Sequence, residues 1–257
     1  MHHSRKTSLI CAAFMGALLL LTVSASAQVT ADFHRTVPLS SNGRVSLGNI
    51  NGSVTITGWE RNEVQIDAVK KARDQQRLDA MTIEVDASAN SVRIKTKFPE
   101  GHTNNNPGGV TYELHVPRTA NLDSINLVNG SLDVSHVTGD LKAELVNGKL
   151  NAHDLAGRAQ LSSVNGSINA YYGSLDNVRE IQLKSVNGSI VLGLPASPNA
   201  DVSASTVNGG ITTDFPLQVQ GKFMGKHLDG KLGNGGTRVE LSNVNGGIKI
   251  GPGEGNL

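Results

Sequence analysis

The chain has 257 residues, with 23 Lys and Arg against 22 Asp and Glu, and a formal net charge of +1 at pH 7. This balance lacks the basic footprint of a nucleic-acid-binding protein, so we expect no nucleic-acid partner. Cys11 is the only cysteine, which excludes intrachain disulfides and cysteine-based metal or redox motifs.

The first 27 residues have the three parts of a secretory signal peptide. Arg5 and Lys6 precede an apolar run from Leu9 to Val23, and small residues at 25–27 then supply a cleavage site. The apolar run is shorter than the ~20 residues that a spanning helix needs, so a cleaved signal is favoured over a retained anchor. We therefore expect an exported protein, either periplasmic or at the cell surface or secreted, whose mature chain lacks a transmembrane segment.

Residues 28–117 are predicted to be an irregular β region. Strand-like alternation occurs in EVQIDAVKK (63–71), MTIEVDA (81–87), SVRIKTK (91–97) and VTYELHVP (110–117). The stretch ARDQQRLDA (72–80) could form a short helix, and composition predicts a flexible loop at 99–109. Since the first strand of a repeat stack would have an unpaired edge, we expect residues 28–42 to cover that end.

A regular repeat begins at residue 127. Five nine-residue units stand in register: LVNGSLDVS, HVTGDLKAE, LVNGKLNAH, DLAGRAQLS and SVNGSINAY. Each has Val or Leu at its second position and Gly at its fourth, but Asn precedes the Gly only in alternate units, so the true period is 18 residues. Two similar but unequal halves predict a flattened coil with two strands per turn.

The sequence Val-Asn-Gly or Ile-Asn-Gly occurs seven times along the chain. In a two-residue hairpin, the residue two positions before the Asn and the residue three positions after it would both face the core. The first of these positions is often polar. The residue directly before the Asn is always Val or Ile. We interpret this aliphatic residue as pointing into the core at the corner of a coil.

We predict that the Asn-Gly corners stack into a structural ladder. A buried Asn could bond the Asn of the next coil, and Gly could adopt the backbone angles of a sharp bend. An exposed row of asparagines that binds a glycan is the alternative. The predicted ladder consists of Asn51, Gly52, Asn129, Gly130, Asn147, Gly148, Asn165, Gly166, Asn187, Gly188, Asn208, Gly209, Asn245 and Gly246.

These patterns predict an all-β fold, specifically a single-stranded β-solenoid over residues 28–257 with coils of about 18 residues and Asn-Gly corners. The regular coils are expected at 118–250, with a less regular part at 28–117. Each strand would pair with the equivalent strand of the next coil, about 4.8 Å away. A sheet of successive hairpins is the alternative.

No residue pattern predicts a catalytic, cofactor or metal site. Asp133, Asn151 and Asn169 would form a row with a single acid, whereas calcium-loaded β-rolls repeat an acidic glycine-rich motif. The histidines are scattered, and the carboxylates fall at different positions of the unit. The glycine-rich tract 221–236 lacks the ending of a phosphate-binding loop. We therefore expect no enzyme activity.

Several motifs together resemble the bacterial DUF4097 or Toastrack family, which is also labelled a candidate adhesin family. They are the repeated V-N-G-[SKG]-[IL], GRVSLGNINGSVTITGW (43–59), a strand ending in VP (116–117) and HLDGKLGNGGTRVELSNVNGGIKI (227–250). The resemblance implies an extracytoplasmic β-solenoid without assigned catalytic residues. It also implies an association with envelope-stress systems, although this chain lacks the transmembrane segment of those relatives.

The sequence thus predicts an exported, non-enzymatic binding or structural module of the cell envelope. Its flat rows of small polar residues suit weak multivalent contact, with a cell-surface glycan or an envelope protein as the expected partner. A polysaccharide-acting β-helix enzyme is one alternative, and it would need several charged side chains in one cleft. A self-assembling surface scaffold is the other.

Overall fold

The computed structural model describes residues 28–98, 108–220 and 225–253. The predicted signal peptide at 1–27 lies outside the described residues, as does most of the predicted loop at 99–109. In the described ranges, no helix has the length and apolar character needed to cross a membrane.

The described residues form 21 strands and one short helix, α1 (Gln75–Ala80), which confirms the all-β class. The strands are β1 (Val29–Pro38), β2 (Arg44–Asn51), β3 (Val54–Trp59), β4 (Glu63–Ala72), β5 (Thr82–Ser88), β6 (Ser91–Lys97), β7 (Gly109–Pro117), β8 (Asn121–Asn129), β9 (Leu132–Ser135), β10 (Leu141–Asn147), β11 (Leu150–Leu155), β12 (Ala159–Asn165), β13 (Ile168–Tyr172), β14 (Glu180–Asn187), β15 (Ile190–Leu194), β16 (Ala200–Asn208), β17 (Ile211–Thr213), β18 (Val219–Gln220), β19 (Lys226–Leu232), β20 (Thr237–Asn245) and β21 (Ile248–Pro252).

The strands form two open sheets. Sheet A has the order β1-β4-β7-β3-β9-β11-β13-β15-β21-β17, and sheet B has the order β18-β19-β16-β20-β14-β12-β10-β8-β2-β6-β5. Each Asn-Gly turn joins a strand of sheet B to a strand of sheet A, so its flanking strands do not pair with each other. Instead β10 pairs in parallel with β8 and β12, and β11 with β9 and β13. The structure thus shows parallel pairing between units, and the β-solenoid remains our interpretation of it.

The core lies between the two sheets and continues through all seven Asn-Gly units. The positions four before and three after each Asn are buried aliphatic residues, as expected from the sequence. The first row is Leu47, Ile125, Ala143, Leu161, Leu183, Leu241 and Ala204, and the second is Val54, Leu132, Leu150, Ile168, Ile190, Ile248 and Ile211. Burying one such branched side chain stabilises the fold by roughly 1.5–3 kcal/mol, so the stacked rows hold the sheets together.

The prediction that the Val or Ile before each Asn points into the core is wrong. These seven side chains retain between 38% and 48% of their exposure, whereas the residue one position earlier is buried in every unit. The alternation of core-facing and outward-facing side chains is therefore kept through the turn. Polar residues at the buried position can bond main-chain carbonyls of a neighbouring turn: Ser185 Oγ donates to Gly166 O at 3.2 Å and Thr206 Oγ1 to Gly246 O at 3.0 Å. Ser163 Oγ, buried at the same position, has no hydrogen-bond partner among the described residues.

The C-terminal unit, β20 and β21, does not lie at the end of the stack. It lies between the units β14–β15 and β16–β17, pairing in parallel with both. The free side of β16 is covered instead by antiparallel β19, which in turn pairs with β18. The described part of the glycine-rich tract, 225–236, therefore contributes β19 to an end cover, and it interrupts the regular coils predicted at 118–250.

The opposite end of the stack is built from antiparallel strands. The outermost strands are β1 of sheet A, which pairs with β4, and β5 of sheet B, which pairs with β6. Arg35 Nη1 donates to Val85 O at 3.2 Å and so links the two outer strands. This arrangement places β1 at the end that residues 28–42 were expected to cover. The short helix predicted within 72–80 is confirmed by α1, whose N-cap Asp74 accepts a hydrogen bond from Arg77 N.

Candidate functional site

The outer face of sheet B ends in two exposed rows beside the Asn-Gly turns, which we call the Val–Asn edge. The aliphatic row is Ile50, Val128, Val146, Val164, Val186, Val244 and Val207 in the order of the stack, and the amide row is Asn51, Asn129, Asn147, Asn165, Asn187, Asn245 and Asn208. Because neighbouring units lie about 4.8 Å apart, the seven units form an edge about 29 Å long.

The seven asparagines form one continuous amide ladder. From Asn129 onward, each Nδ2 donates to the Oδ1 of the preceding Asn in the stack, in six bonds of 2.8–2.9 Å. The ladder begins at Asn51, whose Nδ2 donates to Gly108 O at 3.2 Å, and ends at Asn208. We expected such a ladder to be buried, but six of its seven side chains are exposed and Asn51 is half-buried.

The turn glycines allow the ladder to form at this spacing. Six of the seven ladder glycines donate their backbone N–H to the Asn carbonyl of a neighbouring unit, at 2.8–3.0 Å. A Cβ on Gly166 would lie 1.7 Å from Gly148 O, and a Cβ on Gly148 would lie 1.9 Å from Gly130 O. The turns can therefore stack at strand spacing only if this position carries no side chain.

The Val–Asn edge has the chemistry of a binding surface. An Asn amide has two N–H donors and an oxygen with two lone pairs, and the ladder uses one of each within its interior. Each interior rung therefore keeps one donor and one acceptor for a ligand. The adjoining aliphatic row is a continuous exposed apolar stripe, which is a feature that commonly marks an interaction site. The pairing of both rows favours ligands with alternating apolar and hydroxylated faces.

A shorter polar ladder follows on the outer face of sheet A. Asn151 Nδ2 donates to Asp133 Oδ1 at 2.6 Å, and Asn169 Nδ2 donates to Asn151 Oδ1 at 2.9 Å. The predicted row therefore does form, and its amides are held by one another. Its one carboxylate is already engaged by Asn151, which fits a structural role for the row.

A His–Asp–His cluster lies further along sheet A, although the sequence placed its histidines in separate rows. His136 Nδ1 is 3.1 Å and His153 Nδ1 is 3.5 Å from Asp154 Oδ2, and all three side chains are about half exposed. His136 and Asp154 also have positive φ angles of 57° and 54°, which non-glycine residues seldom adopt. Within the described ranges, no group of three His, Cys, Asp or Glu side chains has an arrangement suited to a metal ion.

An open groove of about 550 Å³ lies on sheet B between β16, β19 and β20, and we call it the acidic groove. It is lined by charged and hydroxyl side chains, chiefly Asp201, Asp229, Arg238, Glu240, Ser203 and Ser242. The sequence did not indicate this groove, because its walls come from the C-terminal unit and a hairpin that meet only through the inserted order of the stack.

The carboxylates of the acidic groove are bound by neighbouring groups. Hydrogen bonds from Ser203 and then His227 lower the pKa of Asp229, so this carboxyl is held ionised. Asp201 Oδ2 accepts from Gly236 N at 3.0 Å, and Asp201 Oδ1 lies 3.6 Å from Lys231 Nζ. A general acid would need a raised pKa. Asp229 is therefore unsuited to act as a general acid.

Fold and edge together define the class of this protein: an all-β repeat protein whose units stack an exposed amide ladder beside an aliphatic row. The chain belongs to the Toastrack DUF4097 family, whose model matches residues 41–251. A comparison with curated proteins finds no match.

Solved structures that resemble this chain come from Clostridium sporogenes and Bacteroides fragilis, among others. A candidate cell adhesion protein from Clostridium sporogenes has 13% identity and a TM-score of 0.53, and the match covers 87% of this chain and all of that one. A candidate adhesin from Bacteroides fragilis has 14% identity and a TM-score of 0.43, with 86% of this chain and 97% of that one covered. At these identities the likeness concerns the fold alone.

Proposed function

We propose that this protein is an exported β-solenoid of the cell envelope that binds surface polysaccharide without catalysis, in the manner of an adhesin. The Val–Asn edge is the observation that carries the proposal. It presents seven similar units in one row, and a polymer with a repeating structure can contact many of them at once. Each contact can be weak while the sum is strong.

The chemistry of the edge favours a glycan over an envelope protein as the partner. Sugar rings present C–H faces that pack on aliphatic side chains and hydroxyls that both donate and accept hydrogen bonds. The interior rungs offer one free donor and one free acceptor beside each valine, which matches both properties. A protein interface would need about 800 Å² on each side, more than an edge of two rows about 29 Å long provides.

Export and a non-enzymatic role complete the proposal. The signal-peptide pattern at residues 1–27 supports a location outside the cytoplasm. The acidic groove brings together the charged residues that a polysaccharide-cleaving enzyme would need, but Asp229 is held ionised there and its pKa is lowered. That environment supports binding rather than acid–base chemistry.

Retention on glycans tests the proposal. The mature chain should be retained on an array of bacterial surface polysaccharides, or in a pull-down with insoluble cell-wall polysaccharide. The triple variant Val146→Thr, Val164→Thr and Val186→Thr keeps the branched shape but removes apolar surface. We expect its retention to fall by more than about tenfold, because losing three apolar contacts costs at least about 1.4 kcal/mol.

Val219→Thr is the matched control. Val219 is exposed to 38%, like the edge valines, but it lies in β18 outside the aliphatic row. We expect the control to bind like the unsubstituted chain. The proposal is wrong if no polysaccharide retains the mature chain, or if the control and the triple variant weaken retention equally.

A further inference from the structure

Asn-Gly is a chemically labile dipeptide, and its lability depends on the backbone nitrogen of the glycine. That nitrogen can attack Cγ of the preceding Asn, because glycine has no side chain to hinder the approach and its backbone turns freely. The chain contains nine such pairs, and all of them lie in the described ranges: Asn42-Gly43, Asn51-Gly52, Asn129-Gly130, Asn147-Gly148, Asn165-Gly166, Asn187-Gly188, Asn208-Gly209, Asn234-Gly235 and Asn245-Gly246.

Eight of the nine glycine nitrogens are held by hydrogen bonds. Within the ladder, Gly148 N donates to Asn165 O at 3.0 Å, and five other ladder glycines make the equivalent bond. Outside it, Gly43 N donates to Ser40 O at 2.8 Å and Gly235 N donates to Leu232 O at 3.0 Å. A nitrogen held in this way cannot turn toward Cγ unless the turn first opens.

Gly209 is the exception, and its place in the stack explains why. It belongs to the unit β16–β17, beyond which no further Asn-Gly unit follows among the described residues, so its N–H has no described acceptor. Gly209 is exposed, whereas the other six ladder glycines are half-buried. Asn208 is also held less firmly than an interior rung, because it donates to Asn245 Oδ1 at 2.9 Å but accepts no bond from another ladder amide.

We propose that Asn208-Gly209 is a site of spontaneous intramolecular deamidation, and that the hydrogen bond held by the glycine nitrogen protects the other Asn-Gly pairs. The Gly209 nitrogen gives up its proton to water and bonds to Asn208 Cγ. The Cγ–Nδ2 bond breaks, and the nitrogen leaves as ammonia, which closes a succinimide ring. Water then adds to either ring carbonyl and opens the ring, leaving aspartate or isoaspartate at position 208. No oxidation or reduction occurs, and water is the only co-reactant.

The modification would change the end of the Val–Asn edge. A carboxylate at position 208 has no N–H to donate to Asn245 Oδ1, so the last rung of the ladder is lost. An isoaspartate also adds a carbon to the main chain just before Gly209. This addition displaces Gly210, whose carbonyl accepts from Ile248 N at 2.8 Å. Both products therefore remove the last rung between β16 and β20, and the isoaspartate also weakens the attachment of β17 to β21.

The experiment is to age the full mature chain at mildly alkaline pH in ¹⁸O-labelled water and to map its peptides by mass spectrometry over time. The same chain unfolded in urea is the internal control, because there all nine Asn-Gly pairs are free. In the unfolded chain we expect similar deamidation rates at all nine pairs. In the folded chain we expect the rate at position 208 to stay close to the unfolded rate and the other pairs to react at least about tenfold more slowly, since they require local opening.

Two results would overturn the proposal: protection at position 208 as strong as at the interior rungs, or faster conversion at another Asn-Gly pair of the folded chain. Isoelectric focusing gives a second readout. The aged folded chain should acquire one acidic species before any other, and Asn208→Ser should abolish it. Persistence of that species in the variant would also contradict the assignment.

Discussion

At the scale of single residues, the main feature is the reversal of inside and outside at the turn. The sequence suggested that branched aliphatic residues belong in the core and small polar residues outside. Near several of the turns the structure does the opposite, because a buried polar side chain there can donate to a turn carbonyl of a neighbouring unit. Asn243 Nδ2, for example, donates to Gly188 O at 2.7 Å from a position that is 2% exposed.

Strand alternation alone could have predicted this reversal. The inward residues six and four positions before the Asn imply an inward residue two positions before it, in any continuous strand. The sequence-based prediction instead follows hydrophobicity: every residue directly before the Asn is Val or Ile, which favours a place in the core. Residue type alone could not show that a buried Ser or Thr has a turn carbonyl within reach.

The amide ladder yields a stability prediction at this scale. Asn165→Ala removes two ladder bonds, to Asn147 and from Asn187, whereas Asn208→Ala removes only the bond to Asn245. Since a hydrogen bond contributes about 0.5–1.5 kcal/mol and these are exposed, we expect Asn165→Ala to lower the free energy of unfolding by about 1–2 kcal/mol. The terminal substitution should cost about half as much. Urea unfolding measures both, and equal losses would contradict the ladder's contribution.

At the scale of elements, the strands themselves were largely predictable. The stretches 63–71, 91–97 and 110–117 coincide within a residue with β4 (Glu63–Ala72), β6 (Ser91–Lys97) and β7 (Gly109–Pro117). Their partners were not predictable, because β4 pairs antiparallel with β1 and β7, and no repeat marks those pairings. Alternation predicts that a strand exists, while pairing depends on surfaces distant in the sequence.

The pair β1–β4 carries a pH-dependent contact. His34 and Asp67 are partners in register, with His34 Nδ1 2.5 Å from Asp67 Oδ1, and Gln65 Nε2 donates to Asp67 Oδ2 at 2.6 Å. The bond to His34, and next the bond to Gln65, lower the pKa of Asp67 below 3.8. A lowered pKa in the folded state adds stability above the unfolded pKa, and that stability is lost as the pH falls through the folded value.

Asp67→Asn should therefore destabilise the protein slightly at neutral pH, and the difference should shrink as the pH falls below 3.8. The effect is small because both side chains are exposed and solvent screens them. Urea midpoints across this pH range measure it. Asp32→Asn is the control. It removes a carboxylate of the edge strand β1, and this carboxylate makes no ion pair among the described residues. The stability difference that it causes should not follow this pattern. A difference in urea midpoint between Asp67→Asn and the unsubstituted chain that stays constant across the pH range would contradict the assignment.

At the scale of the whole molecule, the order of units in the stack differs from their order in the chain. The seven turns have nearly equivalent sequences, so the repeat predicts that units stack but not which unit lies beside which. The C-terminal unit lies inside the stack and bridges β14–β15 to β16–β17. The amide ladder follows this spatial order, passing from Asn187 to Asn245 and then to Asn208.

This topology predicts that the C-terminal unit is essential for folding. A chain ending at residue 220 would lack β19, β20 and β21, which leaves β16 and β17 without a pairing strand and β14 and β15 with one each. We expect loss of the cooperative thermal transition and aggregation through the exposed strand edges. A chain ending at residue 253 removes only residues outside the described range and should unfold like the full chain. A monomeric, cooperatively folded product from the shorter chain would refute the inserted position.

The central claim is that the Val–Asn edge is the surface that binds, and NMR of the side chains tests it most directly. Solubilised bacterial surface polysaccharide is titrated into the mature chain while the Asn side-chain amides and the Val methyl groups are observed. We predict that the signals of Asn147, Asn165 and Val164 shift together, while those of the acidic groove do not move. Methyl shifts confined to the groove residues Val202 and Val239, with the edge unchanged, would contradict the account.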